Sequence, residues 1–168
     1  MDFEKTTGIP NVEELAPGLK VAFEYWLEIK GERDCPKWSD FDWLRLPADT
    51  IPWCAVVDVH EDPVDFVYRF WGTARASLQH ADYTGKSIKT VKPASMAEKI
   101  WDEYMEIARS GTPIHYRTTA QTDDDNDAVS YNFIRLPFGD GGRVTQILAL
   151  GMHEESNIKL IQNFYGQP

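Results

Sequence analysis

The order of strand-like and helix-like patterns constrains the fold of this chain more than any single motif. Two runs rich in β-branched and aromatic residues, 54–60 and 65–71, precede a helical stretch. Three more strand patterns, 114–122, 128–137 and 144–152, follow it, joined by "DDDND" and "FGDGG", which are typical of hairpin turns. This order predicts an α+β fold with a five-stranded antiparallel sheet and helices on one face.

Three helical patterns complete the prediction, at 17–30, 73–80 and 93–110. The first begins at Pro17, ends before Gly31 and has an apolar stripe. Either the chain's own sheet or a second subunit must cover that stripe. We predict a homodimer through this helix, residues 17–30, on the basis of that uncovered stripe.

Composition divides the chain into three parts. Residues 1–31 form an N-terminal extension with the amphipathic helix, and its first half, 1–16, is expected to be a loose lead-in. Residues 32–153 form the domain, beginning with a Trp-, Pro- and Asp-rich wrap at 32–53. Residues 154–168 form a C-terminal tail that is expected to be partly helical.

The net charge of −10 over 168 residues argues against nucleic acid and anionic membranes as partners. Cys35 and Cys54 have neither CxxC spacing nor His neighbours, so a zinc site is not predicted. The sequence shows no secretory segment and no apolar run of about 20 residues, which favours a cytoplasmic protein.

Strand alternation predicts which side chains face the helices. A tight hairpin between the first two strands would place Phe66, Tyr68 and Phe70 on one face, although a slip of one residue would invert this. Extending the alternation to all strands predicts a set that either packs as a core or surrounds a ligand. The strands contribute Tyr68, Phe70, Tyr116, Thr118, Tyr131, Phe133 and Leu148, and the set is completed by Trp101 of the long helix and His80 of the short helix.

Four short motifs in this order resemble a PAS domain. They are "LPADTIPW" at 46–53, "YRFWGT" at 68–73, "DYTGKS" at 82–87 and "LPFGDGG" at 136–142, the last followed by a hydrophobic strand. The resemblance extends from about Trp26 to Met152. The chain more closely resembles a family of small stand-alone proteobacterial PAS-like proteins of unknown function.

This resemblance implies a five-stranded antiparallel sheet that cups a few helices. PAS domains sense small molecules or light, bind haem or flavin, or mediate dimerisation. Haem-binding members use a helix histidine, but each histidine here is isolated, so no haem is predicted. The light-sensing flavin members use a cysteine in the helix after the second strand, and 73–82 contains none. The cofactor therefore stays unknown.

Several residues invite a chemical role but have a simpler structural one. Arg69 is expected to be exposed or paired with an acid such as Asp58, ahead of anchoring an anionic ligand. Gly72 and Gly85 are expected to allow sharp turns, and Thr73 to cap a helix. The aspartates at 123–127 lack the glycine and glutamate of an EF-hand and predict a solvated turn rather than a metal site.

Three functions follow from these patterns. The leading prediction is a non-enzymatic sensory module that binds a small apolar or aromatic molecule and acts through an effector protein. The second is a ligand-free homodimeric interaction protein. The third is a small cone-shaped α+β enzyme that uses acid–base groups in a cavity, and it is disfavoured because no nucleophile elbow, phosphate loop or zinc signature is present.

Overall fold

The structure is a computed structural model that describes the backbone of residues 2–121, 128–152 and 158. It describes the side chains of the same residues except 2–6, 118–121 and 128–131. The aspartate-rich turn at 123–127 lies outside the described residues. The predicted C-terminal helix also lies outside them, apart from residue 158.

The elements follow the predicted order closely. The strands are β1 Asp2–Gly8, β2 Cys54–Glu61, β3 Val64–Trp71, β4 Ile114–Gln121, β5 Ala128–Asp140 and β6 Arg143–Met152. The helices are α1 Pro17–Lys30, α2 Thr73–Gln79 and α3 Ala94–Ser110. Single 3-10 turns lie at Val12–Glu14, Trp38–Asp40, Trp43–Arg45, Ile51–Trp53 and Ile88–Thr90. Among the described residues, no helix is both long and apolar enough to cross a bilayer.

The strands form one antiparallel sheet in the order β1-β4-β5-β6-β2-β3. The predicted five strands are β2 to β6, and the α+β fold is confirmed. The sixth strand corrects the expectation of a loose lead-in, because Asp2–Gly8 pairs along β4 from Gln121 to His115. Its sequence, "DFEKTTG", lacks an apolar alternation. Its pairing therefore depends on the backbone groups at the edge of β4, which would be unpaired without β1.

The sheet is covered on both faces. We call the face under α2 and α3 the inner face and the opposite face the outer face. The buried inner cluster is Ala55, Val57, Phe66, Tyr68, Trp71, Tyr83, Ile88, Val91, Ala97, Tyr104, Ile107, Ile114, Tyr116, Val144, Ile147 and Ala149. The buried outer cluster is Leu15, Leu19, Ala22, Phe23, Tyr25, Trp26, Leu46, Cys54, Val56, Ile134, Leu136, Phe138, Leu148 and Leu150.

Helix α1 covers the outer face of its own sheet. Leu19, Phe23 and Trp26 are buried there, and the Trp26 indole Nε1 donates to the Pro137 carbonyl oxygen at 2.8 Å. The apolar stripe thus has its cover within the chain. The reason for predicting a homodimer through this stripe is removed, and dimerisation itself stays a prediction.

The wrap between α1 and β2 is a packed layer, as its tryptophans predict. Trp38 stacks on Phe41 with ring centroids 4.8 Å apart, and both rings contact Phe138 of β5 edge-on. Asp42 begins one of the 3-10 turns by accepting a hydrogen bond from the Leu44 backbone N–H. The wrap therefore extends the cover that α1 provides.

A β-bulge in the β2–β3 hairpin changes which side chains share a face. Val56 pairs with Phe70 but Val57 pairs with Tyr68, so Arg69 is the extra residue. Beyond it, Phe70 packs against the outer cluster and Trp71 joins the inner cluster. The prediction that Phe70 shares a face with Tyr68 is therefore wrong.

The turn from β3 into α2 depends on glycine for a different reason from the one predicted. Gly72 has an ordinary φ of −64°, but a Cβ there would lie 2.1 Å from the Pro52 carbonyl oxygen. Gly72 is itself the N-cap without a side-chain bond, so the prediction of Thr73 as the cap is wrong. Gly85 does adopt a positive φ, +78°, as its turn requires.

Candidate functional site

The space between the inner face and helices α2 and α3 is dense in aromatic rings. Tyr68 contacts Trp71 with ring centroids 4.7 Å apart, and Trp71 contacts Tyr83 at 5.1 Å. Phe66 stacks on Tyr104 of α3 at 5.4 Å and meets Trp101 edge-on at 5.2 Å. These rings contact one another directly, so the sheet and helices are joined by a packed aromatic layer.

A buried ion pair lies inside this layer. The Arg135 guanidinium on β5 donates to the Glu103 carboxylate on α3, from Nε at 3.1 Å and from Nη2 at 2.5 Å. Arg135 is 6% exposed and Glu103 is 8% exposed. Burial opposes the charge of Arg135, but Tyr104 and Glu103 outweigh it and raise the pKa of Arg135. Arg135 therefore stays charged, and its contact with Glu103 connects α3 to the sheet.

Aromatic rings complete the surroundings of Arg135. Its guanidinium carbon lies 4.2 Å from the Tyr104 ring centroid, 5.2 Å from Phe133 and 5.6 Å from Tyr116. Each of these faces attracts a cation. This environment helps to keep a guanidinium in a place with little water.

A second arginine reaches the same region from α2. Arg75 donates from Nε to the Trp53 carbonyl oxygen at 2.6 Å, and its guanidinium lies 5.4 Å from the Trp71 ring centroid. Burial lowers the pKa of Arg75, and the positive charge of Arg135 lowers it further. The inner layer thus contains two guanidinium groups and the carboxylate of Glu103.

The buried tyrosines are suited to hydrogen bonding rather than to proton abstraction. Burial raises the pKa of Tyr68 well above its usual range and also raises the pKa of Tyr116. Their hydroxyls therefore stay protonated at neutral pH. A general base needs the opposite shift, toward the operating pH.

The structure brings together some of the predicted pocket residues. Tyr68, Trp101, Tyr116 and Phe133 all belong to the inner layer, and Tyr116 stacks on Phe133 with centroids 4.8 Å apart. Thr118 and Tyr131 pair in the backbone of β4 and β5, and their side chains lie outside the described residues.

Three predicted pocket residues lie elsewhere. Phe70 and Leu148 pack against the outer cluster, Phe70 because of the bulge. Leu148 lies in a run, 147–150, that is buried on both faces, so its sequence gave no sign of which parity faces inward. His80 is exposed and ends α2 in a left-handed conformation with φ +53°.

Sequence reasoning missed the charged residues of the layer. Arg135 lies two residues after Phe133 on β5, so the strand alternation that placed Phe133 on the inner face also places Arg135 there. Glu103 lies next to Tyr104 on the stripe of α3, where a glutamate is ordinarily solvated. No local signal marks Arg75, because its burial depends on the angle at which α2 lies over the sheet.

Arg69 has the structural role that was predicted for it. Its Nε donates to the Asp58 carboxylate at 2.8 Å, and both side chains remain partly exposed. Asp58 also accepts from the Gln146 side chain at 3.0 Å. These bonds engage Asp58 on the outer face, away from the inner layer.

Two open hollows lie along α3. One, of about 560 Å³, is lined by Trp101, Asp102, Met105, Glu106, Arg109 and Ser110. The other, of about 320 Å³, is lined by Lys89, Ala94, Ala97, Glu98, Trp101 and Asp102. The Lys89 ammonium, in the second hollow, lies 4.7 Å from the ring centroid of Trp101, which lines both hollows. Across the part of the chain that the structure describes, no group of three His, Cys, Asp or Glu side chains could hold a metal ion.

The architecture is PAS-like, with β2 to β6 forming the expected antiparallel sheet and α2 and α3 cupped on its inner face. No family model matches the sequence, and no curated protein matches it.

Solved structures of light-oxygen-voltage and PAS domains are similar to this chain in arrangement. An RNA-binding light-oxygen-voltage receptor matches 98% of this chain and 42% of its own length, with 12% identity and a TM-score of 0.46. This chain therefore spans less than half the length of that receptor. A PAS domain from Colwellia psychrerythraea matches 68% of this chain and 99% of its own, with 13% identity and a TM-score of 0.40. A light-oxygen-voltage domain studied with a flavin analogue matches 67% of this chain and 85% of its own length, with 13% identity and a TM-score of 0.41.

Proposed function

We propose that this protein is a non-enzymatic sensory module that binds a small molecule between the inner face and helix α2, and signals to a protein partner. The observation that carries the proposal is the polar content of the inner layer. Arg75, Arg135 and Glu103 lie among buried tyrosines, although a layer that only packs is more stable when it is apolar. Polar groups of this kind orient a ligand.

Helix α2 is the element that a ligand would displace most easily. Its seven residues bury a single side chain, Leu78, whereas α3 buries four. A helix with few buried apolar contacts opens at low free energy. A ligand that binds more tightly when α2 is displaced would shift the population toward that state and expose a different surface to the partner.

Mass spectrometry of the intact purified protein tests the proposal. We expect a bound mass above 19.2 kDa that is lost on denaturation. Tyr68→Phe, on the inner face, should reduce the bound fraction, while Phe70→Leu, on the outer face, should leave it unchanged. A native mass equal to that of the polypeptide alone, with no compound recovered by solvent extraction, would refute the proposal.

The second candidate is a ligand-free homodimer, favoured by the direct ring contacts of the inner layer. Residues 17–30 would meet their copy through the outward side of α1, where Val21 is 39% exposed and Leu27 is 42% exposed. Glu24 and Glu28 are exposed on the same helix, so two copies would also bring like charges together.

Light scattering distinguishes this candidate. A dimer through α1 requires that the wild type has twice the monomer mass and that Leu27→Glu has the monomer mass. Leu44→Glu is the control and should keep the dimer mass, because Leu44 is 89% exposed but lies outside the helix. Phe23→Glu is not suitable, because Phe23 is buried against the chain's own sheet and its replacement would unfold the protein. A monomeric wild type would exclude the candidate.

A further inference from the structure

We propose that Arg75 is the anion-recognition residue of the module, and that its ligand carries a carboxylate bound beside Trp71, between α2 and the inner face. This inference rests on the proposed function and adds the chemical class of the ligand to it. It begins from a difference between the two arginines of the inner layer.

Arg135 is buried and Arg75 is partly buried, but among the described residues only Arg135 has a counter-charge. Its guanidinium makes a two-nitrogen contact with Glu103. Arg75 donates to a neutral backbone carbonyl, and no carboxylate of the described residues lies within ion-pairing distance of it. A partly buried cation without a counter-ion among the described residues is unfavourable for folding, and we take its presence to indicate an anion that binds there.

Two more polar side chains near Arg75 have no hydrogen-bond partner among the described residues. Trp71 is 5% exposed, and its indole Nε1 has no hydrogen-bond acceptor among the described residues. The Gln79 side-chain oxygen is likewise buried without a donor in the part of the chain described. Gln79 follows Arg75 by four residues, so both lie on the same face of α2. The three side chains therefore offer unfilled hydrogen-bonding capacity in one region.

These groups define the chemistry of the ligand. The terminal guanidinium nitrogens and the indole N–H are donors, and a planar guanidinium matches a carboxylate with two parallel bonds. The Gln79 oxygen is an acceptor, so the carboxylate itself makes no hydrogen bond to it. Arg75, Arg135 and Glu103 together leave one positive charge, which a carboxylate neutralises. A dianionic phosphate would add a buried negative charge without a counter-ion. The neighbouring rings of Trp71, Tyr68 and Tyr83 favour a flat apolar body attached to the carboxylate.

The position of Arg75 also provides a route for the ligand. Its side chain is only partly buried, on the helix that buries a single residue. On the sheet side, the Arg75 Nη2 lies next to Gly151 of β6, 3.8 Å from where a Cβ at that position would be. A carboxylate can therefore reach the guanidinium when α2 moves, without disturbing the pair between Arg135 and Glu103.

Matched acids and amides test the inference with the full chain. The probes are benzoate with benzamide and indole-3-acetate with indole-3-acetamide, each at millimolar concentration. Binding is measured by the rise in Tm and by the shift of the Trp71 indole N–H resonance, which is assigned by its loss in Trp71→Phe. We expect the acids to bind at least about tenfold more tightly than the amides, because a charge-assisted bond is lost in the amide.

Variants at Arg75 separate recognition from structure. We expect Arg75→Met to lose at least about tenfold in acid binding while its Tm without probe stays equal to or above that of the wild type. Arg75→Lys, which keeps the charge but loses the planar fork, should bind acids with intermediate affinity. Arg69→Met, which removes an exposed arginine on the adjacent strand, should bind acids as the wild type does.

The possible results point to different conclusions. Equal binding of acids and amides, unchanged in Arg75→Met, would leave small-molecule binding intact and overturn the carboxylate assignment. A Tm in Arg75→Met that falls as far as it does in Arg135→Met would make Arg75 structural and would also overturn it. If no probe binds and the native protein carries no extra mass, this inference and the proposed function both fail.

Discussion

At the scale of single residues, the inner layer contrasts two cations: a buried arginine with a counter-ion, and a partly buried arginine that has none among the described residues. Arg135 contacts Glu103 and three aromatic rings, whereas Arg75 has a backbone carbonyl and the face of Trp71. Burying charge is unfavourable unless a partner and hydrogen bonds compensate for it. The first arrangement stabilises the contact between β5 and α3, and the second is explained better by binding than by folding.

We predict that Arg135→Met lowers the free energy of unfolding by about 3–5 kcal/mol, because it leaves the Glu103 carboxylate buried without its counter-charge. Urea denaturation measures the loss. The double variant Arg135→Met, Glu103→Met should recover most of it, since neither charge remains. Arg69→Met breaks the partly exposed pair with Asp58 and should lose only about 0–1 kcal/mol. An equally small loss in Arg135→Met would contradict the prediction.

His115 predicts how stability depends on pH. It is 2% exposed on β4, and its Nε2 has no partner among the described residues. Burial lowers the pKa of His115 below its ordinary 6.5, and the charge of Arg117 lowers it further. The unfolded chain therefore binds a proton at a pH at which the folded chain does not. The contribution of His115 to stability is complete above pH 6.5 and is lost as the pH falls from there toward the folded-state pKa.

We expect the free energy of unfolding to fall more steeply below pH 6.5 in the wild type than in His115→Gln. Urea denaturation at a series of pH values measures both slopes. His60→Gln removes an exposed histidine of β2 and serves as the control, with the slope of the wild type. Identical slopes in the wild type and His115→Gln would show that His115 does not titrate in this window.

At the scale of elements, the end of the β2–β3 hairpin determines where α2 begins. The bulge at Arg69 turns Trp71 inward, and Gly72 then passes close to the backbone of the preceding 3-10 turn. The Gly72 N–H donates to the Cys54 carbonyl oxygen at 2.9 Å. The path of the chain at this corner is thus determined by backbone contact, and it sets the position of Arg75 one helical turn later.

We predict that Gly72→Ala destabilises the protein by an amount near the upper end of about 1–3 kcal/mol. The added Cβ would lie 2.1 Å from the Pro52 carbonyl oxygen and 2.8 Å from that of Cys54, and neither backbone group can rotate away. The midpoint of thermal unfolding, followed by circular dichroism, measures the effect. Gly8→Ala is the matched control, because no atom of the described residues, the two chain neighbours aside, lies within 4 Å of a Cβ there. Equal midpoints in the two variants would refute the steric explanation.

At the scale of the whole molecule, the two hydrophobic clusters share the same strands. In β6, Ile147 and Ala149 belong to the inner cluster while Leu148 and Leu150 belong to the outer cluster. Separating β6 from its neighbours would expose both clusters at once. Helix α1 and the wrap are therefore coupled to α2 and α3 through the sheet.

We predict a single cooperative unfolding transition. Tryptophan fluorescence reports on rings in both layers, such as Trp26 and Trp71, and should give the same urea midpoint as far-UV circular dichroism. Phe66→Leu in the inner cluster and Phe138→Leu in the outer cluster should each shift both midpoints together. Transitions that separate when the two probes are compared would show that the layers unfold independently.

Much of this architecture is predictable because its signals are local. β-Branched runs, hairpin turns and the helical spacing of apolar residues identified β2 to β6, α1, α2 and α3 within a few residues of their ends. The order of these elements was enough to predict one antiparallel sheet. The strand at 2–8 was missed, because its pairing depends on the edge of β4 and not on a pattern of its own.

The candidate site was predicted only in part, because it depends on which face each side chain reaches. Apolar character could not distinguish Leu148 from Ile147, and the bulge at Arg69 reversed the faces of Phe70 and Trp71. Short stretches of sequence determine the order of strands and helices, because propensity and periodicity act within a few residues. The burial of Arg75 and the pairing of Arg135 with Glu103 arise from groups far apart in the chain, and they exist only once helices and sheet have packed together.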